Sequence, residues 1–253
     1  MKKLLLILTV IGLIICLFVG CNTTVPAESE GEGEGEGEEE VSRVVMVEVF
    51  TKEGCANCAI VEPIIEQLAG EYTRSEVIFV EERAYGIYSL DEIRDRYNWY
   101  LPNSADRGTP NILFNGFNTT HIHGSSTYYA IKLRINTELN KDANISINAT
   151  RSSDSTTTTI SGTIKNIGST ALYNLVINGM KYRNLGQTGL KYCVTDIFTE
   201  QQKTITSLES GDSYNFSFTL EGFDWDANNF HGVIFVQDTD SSKKEILQAS
   251  YID

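Results

Sequence analysis

The sequence predicts an α/β unit over residues 44–141 followed by an all-β unit over 142–253. Three observations lead there. Between 44 and 141, short Val-rich runs alternate with stretches whose apolar residues recur at helical spacing. From residue 142 onward Thr, Ser and Asn dominate, and apolar residues alternate with polar ones at period two. The residues ahead of both units show neither pattern.

Residues 1–20 begin with Lys2 and Lys3 and continue as LLLILTVIGLIICLFVG. A basic start, an apolar middle and small residues at the end describe an export signal, and the run also approaches membrane-spanning length. The triplet Val19-Gly20-Cys21 resembles a bacterial lipobox. That resemblance implies cleavage before Cys21, lipidation of Cys21, and a membrane-anchored lipoprotein of the bacterial cell envelope, outside the cytoplasm. Residues 21–43 include GEGEGEGEEE. Gly and Glu in alternation bury no apolar area and the carboxylates repel one another, so a flexible acidic linker is expected. The formal charge of −14 argues against nucleic acid as a partner.

VVMVEVF (44–50) is an apolar run suited to a strand buried on both faces. Val61, Ile64, Ile65, Leu68 and Tyr72 then lie on one helical face. EVIFVEE returns to strand. Ser89-Leu90-Asp91-Glu92 has the form of a capping box for the helix LDEIRDRYNWY, which Pro102 terminates. NILF is a further strand, Asn115-Gly116 signals a hairpin turn, and THIH is its partner. A helix opened by Ser125 or Ser126 closes the unit. The order is therefore β-α-β-α-β-β-α. In the second unit ANISINAT, TTTTISGTIKNIG, TALYNLVINGM, SYNFSFTL, HGVIFVQD and EILQASY read as strands. About seven strands in that length is the count of an immunoglobulin-like β-sandwich.

Of five cysteines, Cys16 leaves with the signal and Cys21 is claimed by the lipobox, leaving Cys55, Cys58 and Cys193. Cys55-Ala56-Asn57-Cys58 alone fits a redox pair or half of a metal site. The pair follows a buried strand and opens a helix, where unpaired N–H groups favour the thiolate of Cys55. Cys58, one turn deeper, is placed to attack a mixed disulfide formed by Cys55. Cys193, among apolar neighbours in LKYCVTD, reads as a buried, inert thiol.

These residues resemble the thioredoxin superfamily over 44 to about 140. Carrying the resemblance are the Cys55/Cys58 pair after a strand, Pro63 five residues beyond Cys58, and Gly108-Thr109-Pro110 before NILF. The resemblance implies a thioredoxin-like domain followed by the immunoglobulin-like sandwich. It implies catalytic Cys55 and Cys58, a cis-proline at Pro110, and a docking edge of Gly108, Thr109 and Pro110 that pairs with a substrate chain. It also implies a buried acid near Glu48, whose raised pKa would let it accept the Cys58 proton. The alternative for Glu48 is an exposed edge residue paired with Lys52. Gly54 stands where the superfamily usually has tryptophan.

The function expected is a membrane-tethered thiol-disulfide oxidoreductase without a cofactor, acting on envelope proteins that carry thiols or disulfides and served by an unidentified redox partner. Two other functions stay open: a non-catalytic binding or adhesion lipoprotein with the α/β unit as scaffold, and metal delivery through His121 and His123 with the cysteines. The bland reading of those histidines, a polar strand edge, is preferred, so no metal is expected. His231 is read as structural. Arg96, Tyr97, Trp99 and Tyr100 are read as core packing ahead of a recognition surface.

Overall fold

β1 (Val45–Lys52) has two apolar faces and both are covered. In the computed structural model, which describes residues 41–116, 120–121, 127–186, 190–240, 242 and 244–253, this strand runs parallel to β2 (Val77–Tyr85) and antiparallel to β3 (Asn111–Phe114). Alternation sends Val45, Val47 and Val49 to one side and Met46, Glu48 and Phe50 to the other. On the valine side, α1 (Ala56–Ala69) and α3 (Thr127–Leu139) pack with Val61, Ile65, Leu68, Ile131 and Ile135. On the opposite side lies α2 (Asp91–Tyr100), which buries Ile93, Tyr97 and Tyr100 against Met46, Phe50, Ile78 and Val80. A two-residue strand, β4 (Thr120–His121), borders β3.

The Asn115-Gly116 signal marks a tighter junction than a hairpin turn. Asn115, buried and left-handed at φ 48°, accepts the Met46 N–H at its Oδ1 (2.7 Å) and donates from Nδ2 to the Val44 carbonyl (3.1 Å). Gly116 has φ 93°, and a Cβ there would stand 2.3 Å from the Lys244 carbonyl oxygen, so only glycine fits. The expected capping box at Ser89 does not form. Leu90 is the N-cap, and the Ser89 hydroxyl donates instead to the Ala84 carbonyl at 3.0 Å while accepting from Arg94. Anchoring the preceding turn to β2 takes the hydroxyl that would have capped α2.

Past residue 142 come β5 (Ile145–Ser153), β6 (Thr157–Asn166), β7 (Leu172–Arg183), β8 (Cys193–Ile197), β9 (Lys203–Leu208), β10 (Ser213–Glu221), β11 (His231–Asp238) and β12 (Ile246–Ile252). The expected architecture, a thioredoxin-like α/β domain followed by a separate immunoglobulin-like sandwich, is corrected by how these strands pair. Only β10, β6 and β5 form a sheet of their own. The others extend the first unit's sheet in the order β12-β11-β7-β8-β2-β1-β3-β4, with β9 alongside β7. The seam is β8, parallel to β2 with Cys193 opposite Glu81 and antiparallel to β7. The small sheet packs on the Leu175, Ile177, Ile234 and Val236 side of the large one. The other side of the same strands, through Met180, Tyr182, Val233 and Phe235, completes the core under α2.

The physical reason is visible in burial. β10 alternates, with Phe216, Phe218 and Leu220 inside and its other residues largely outside, as a half-exposed sandwich strand should. β11 is buried continuously from Gly232 to Gln237. It needs cover on both faces, which a two-layer sandwich standing alone does not supply.

Residues Glu40–Asp253 form one compact unit, and one core draws on both halves. Urea unfolding should therefore be a single transition. Trp99 lies in α2 and Trp225 in the core between the two sheets. Single Trp→Phe variants, each followed by the remaining tryptophan and by far-UV circular dichroism, should show coincident midpoints within each variant. Separate transitions for the two probes would restore independent domains.

Candidate functional site

The C-terminal end of β1 leads through Lys52, Glu53 and Gly54 to Cys55, the N-cap of α1. Its Sγ accepts the N–H of Cys58 at 3.1 Å. Cys55 and Cys58 are joined by a disulfide, with Cα atoms 5.2 Å apart. Cys55 is half-buried at the helix start, while Cys58 is 1% exposed and packs inward. The outer sulfur is thus the accessible one, and it sits at the start of α1 where the Cys58 N–H points at it.

The Gly108–Pro110 loop meets this pair. The Thr109–Pro110 peptide is cis. The Thr109 carbonyl oxygen lies 3.4 Å from Cys55 Sγ, and the Thr109 hydroxyl lies 3.6 Å from the same sulfur. Gly108 is held from beneath, its carbonyl accepting the Tyr97 hydroxyl at 2.6 Å. The Tyr97 ring stacks on Phe50 at 4.4 Å, and its oxygen also accepts from Asn111. Tyr97 and Tyr100 are core residues as expected, and Tyr97 also ties the loop opposite Cys55 to the sheet.

Glu48 is not brought to the disulfide. It shares the Met46/Phe50 face of β1, whereas α1 and Cys58 lie on the other face. Nor is it an exposed partner of Lys52. Fully buried, it accepts from Arg96 Nε at 2.5 Å and from the Tyr100 hydroxyl at 2.9 Å. Beside it on β2, burial and then the Glu48 carboxylate push Glu82 well above the ordinary carboxyl range. The Arg96 guanidinium is the cation paired with this couple of acids, through its contact with Glu48. One residue of offset exchanges the two faces of a strand, so Glu48 lies on the α2 side while its neighbours Val47 and Val49 lie on the α1 side.

Other acids occupy the α1 side. Glu62 is one turn beyond Cys58 on the buried stripe of α1, and burial raises its pKa. Glu81, on the Val77/Phe79 side of β2, accepts the Tyr192 N–H at 3.2 Å. Burial raises it to about 8. Cys193 is completely buried opposite Glu81, and burial lifts its thiol to about 12. It is inert at neutral pH.

Sequence reasoning missed the flank of Cys55. Gly54 has φ 68°, a conformation in which tryptophan would be strained. The turn after β2 is tied to Glu53, two residues before Cys55. Glu53 donates its N–H to the Tyr85 carbonyl and accepts the Ile87 N–H at Oε2 (3.0 Å). Gly86 permits that approach, since a Cβ on it would stand 2.5 Å from Glu53 Cβ. Ile87 is 60% exposed and Tyr88 43%. Two large apolar groups directly after a glycine in AYGIY were the signal available in the sequence.

The backbone of His121 lies in β4, but its side chain, His123, Ser125 and Ser126 lie outside the described residues, as do the leader, Cys21 and most of the linker. Among the described residues no group of three or more His, Cys, Asp or Glu side chains converges as a metal site. His231 sits in a polar cluster, its Nδ1 2.7 Å from the Tyr251 hydroxyl, and burial followed by Arg74 lowers its pKa.

Glu81 links this face to pH. Its folded pKa of about 8 exceeds the ordinary 4.5. Below pH 4.5 both folded and unfolded chains keep the proton and nothing is lost. As pH rises from 4.5 to 8 the unfolded chain releases it first, so stability falls. Glu81→Gln should leave the urea midpoint nearly unchanged at pH 4.5 and stabilise the protein by about 4 kcal/mol near pH 8. An equal effect at both pH values would contradict this.

No protein-family model matches the chain, and no curated protein matches it. Among solved structures, a domain of the outer membrane lipoprotein Omp28 from Porphyromonas gingivalis is 15% identical, with a TM-score of 0.32 over 44% of this chain and 88% of that one. HBP35 of Porphyromonas gingivalis is 18% identical, with a TM-score of 0.61 over 84% of this chain and 75% of that one; the two share a fold.

Proposed function

We propose that the chain is an extracytoplasmic thiol-disulfide oxidoreductase of the thioredoxin superfamily, tethered to a membrane of the cell envelope through Cys21. The observation that carries the redox reading is the Cys55–Cys58 disulfide, with half-buried Cys55 at a helix start facing Thr109 of the cis Thr109–Pro110 peptide. The location rests on the apolar leader and the lipobox-like triplet.

In the reducing direction the Cys55 thiolate attacks one sulfur of a target disulfide. A Cys55–target mixed disulfide forms and the target's other sulfur leaves as thiolate. The Cys58 thiolate then attacks Cys55 Sγ, which closes the internal disulfide and releases the second target thiol. Two electrons pass from the pair to the target, and a dithiol partner must restore them. The oxidising direction is the same sequence reversed. Glu62, buried on the stripe that carries Cys58, is the carboxyl we assign as proton acceptor in place of Glu48. The backbone of Thr109 forms the docking edge for an extended target segment.

Cys55→Ser should abolish insulin reduction, whereas Cys58→Ser should accumulate a mixed disulfide through Cys55 that dithiothreitol releases. Insulin reduction unaffected by Cys55→Ser would reject the reading. A second experiment addresses docking. Ile87→Ser with Tyr88→Ser should lower kcat/KM toward insulin by about tenfold and leave the rate with a small aromatic disulfide unchanged. Equal losses with both substrates would remove Ile87 and Tyr88 from the docking surface.

A further inference from the structure

On the α1 side of the sheet lies a carboxyl that the exchange chemistry above does not use. Cys58 and Glu62 stand one turn apart on the buried stripe of α1. β2 passes beneath that stripe through Val77 and Phe79, and the same alternation brings Glu81 to this side, fully buried. One oxygen of Glu81 accepts the Tyr192 N–H, whereas Oε1 is buried with no hydrogen-bond partner among the described residues. A charged carboxylate there would leave an oxygen unpaired away from water, so the site favours the neutral acid. Burial accordingly raises Glu81 to about 8.

The groups that act on Glu81 come from every element around it. α1 brings Glu62 and Glu66, β2 brings Arg83, and the segment entering β8 brings Lys191, Tyr192 and Cys193. β1 sets the uncharged Val49 beside it. Burial raises both Tyr192 and Cys193, so neither carries charge at neutral pH. Glu66 holds Lys191 at 2.7 Å, which engages that cation. Arg83 acts on Glu62 and Glu81 alike, opposing the larger effect of burial on each. The Glu62 charge raises Glu81. Repulsion is mutual, so an ionised Glu81 must in turn raise Glu62.

We propose that Glu81 is a positioning residue for the thiol-disulfide exchange, acting through Glu62. The inference rests on the redox reading above. While Glu81 is neutral, Glu62 can stand as a carboxylate. It takes the Sγ proton of Cys58, whose sulfur attacks Cys55 Sγ in the mixed disulfide. The bond from Cys55 to the target then breaks, and the target leaves as thiolate. When Glu81 ionises, its charge keeps a proton on Glu62. The acceptor is then occupied and the attack by Cys58 slows. Glu81 thus sets the pH above which this resolving step stops gaining speed.

Stopped-flow mixing of the reduced full chain with one equivalent of a nitroaromatic disulfide tests this. Cys55 releases the first coloured thiolate and Cys58 the second, so the slower phase reads the resolving step. In the wild type that rate should rise with pH and level off near pH 8. The rate of Glu81→Gln relative to wild type should grow about fivefold from about pH 6 to about pH 9. A purely structural effect of the glutamine would shift the rate equally at every pH. In a Glu62→Gln background the same substitution should give a ratio independent of pH, because the charge then has no acceptor to fill. The proposal is overturned by a ratio that does not change with pH, by a wild-type profile that climbs unbroken through pH 8, or by an undiminished pH effect in the Glu62→Gln background. Persistence of both phases in Cys55→Ser would instead overturn the redox reading beneath it, and the proposal with it.

Discussion

Both faces of β1 and β2 must be covered, and most of the architecture follows from that requirement. α1 and α3 seal the valine side. On the other side α2 has only ten residues, too short to roof Met46, Phe50, Ile78 and Val80 together with the strands beyond them. The core closes because β8 pairs with β2 and brings Met180, Tyr182, Val194 and Phe235 under the same helix. Burying an apolar side chain of this size contributes roughly 1.5–3 kcal/mol, so the shared core makes the two halves mutually dependent. The loop bearing Pro110 inherits that stability through Tyr97, which stacks on Phe50 and holds Gly108.

A polar network runs through the same core. Arg96 donates to Glu48, to the Tyr100 hydroxyl (2.8 Å) and to Gln237 Oε1 (3.1 Å), and Gln237 Nε2 in turn donates to Tyr100. Strand β11 supplies Gln237, so the network stitches the later strands to α2 and β1. Buried charge is tolerated here because all three nitrogens of the arginine donate to a partner, Glu48, Gln237 and Tyr100, whereas removing one member would strand the others. Specific pairing between the two halves is the function this network serves within the fold.

Much of the first half was legible because its signals are local. Val-rich strands, the stripe Val61–Ile65–Leu68, the helix ended by Pro102 and the special turn at Asn115-Gly116 all depend on neighbours in sequence. The cysteine pair was also found, since its spacing at a helix start is readable, and the Gly108–Pro110 loop was found through the resemblance to the thioredoxin superfamily. What failed was long-range. HGVIFVQD was taken for a sandwich strand, although its unbroken apolar run already carried the two-sided burial that places β11 inside a larger sheet. Seven of the residues in SYNFSFTL and its flanks do alternate, which made the sandwich pattern persuasive by analogy for strands that lack it. Glu48 was misplaced by a single residue of offset, and the apolar flank at Ile87 and Tyr88 was hidden because nothing local announces which turn will lie beside Cys55.

The way the chain enters the fold has a mechanical consequence. Arg43, 4% exposed, donates to Glu245 at 2.7 Å and to the Ile246 carbonyl at 3.1 Å, and lies 3.6 Å from the Glu138 carboxylate. Immediately after it, β1 runs about 25 Å to the far end of the sheet, hydrogen-bonded along both edges. Tension transmitted from the preceding residues would be met first by that arginine clamp and then by the two ladders loaded in shear, which must rupture together. The cysteine loop, downstream of both, would feel no load until they gave way.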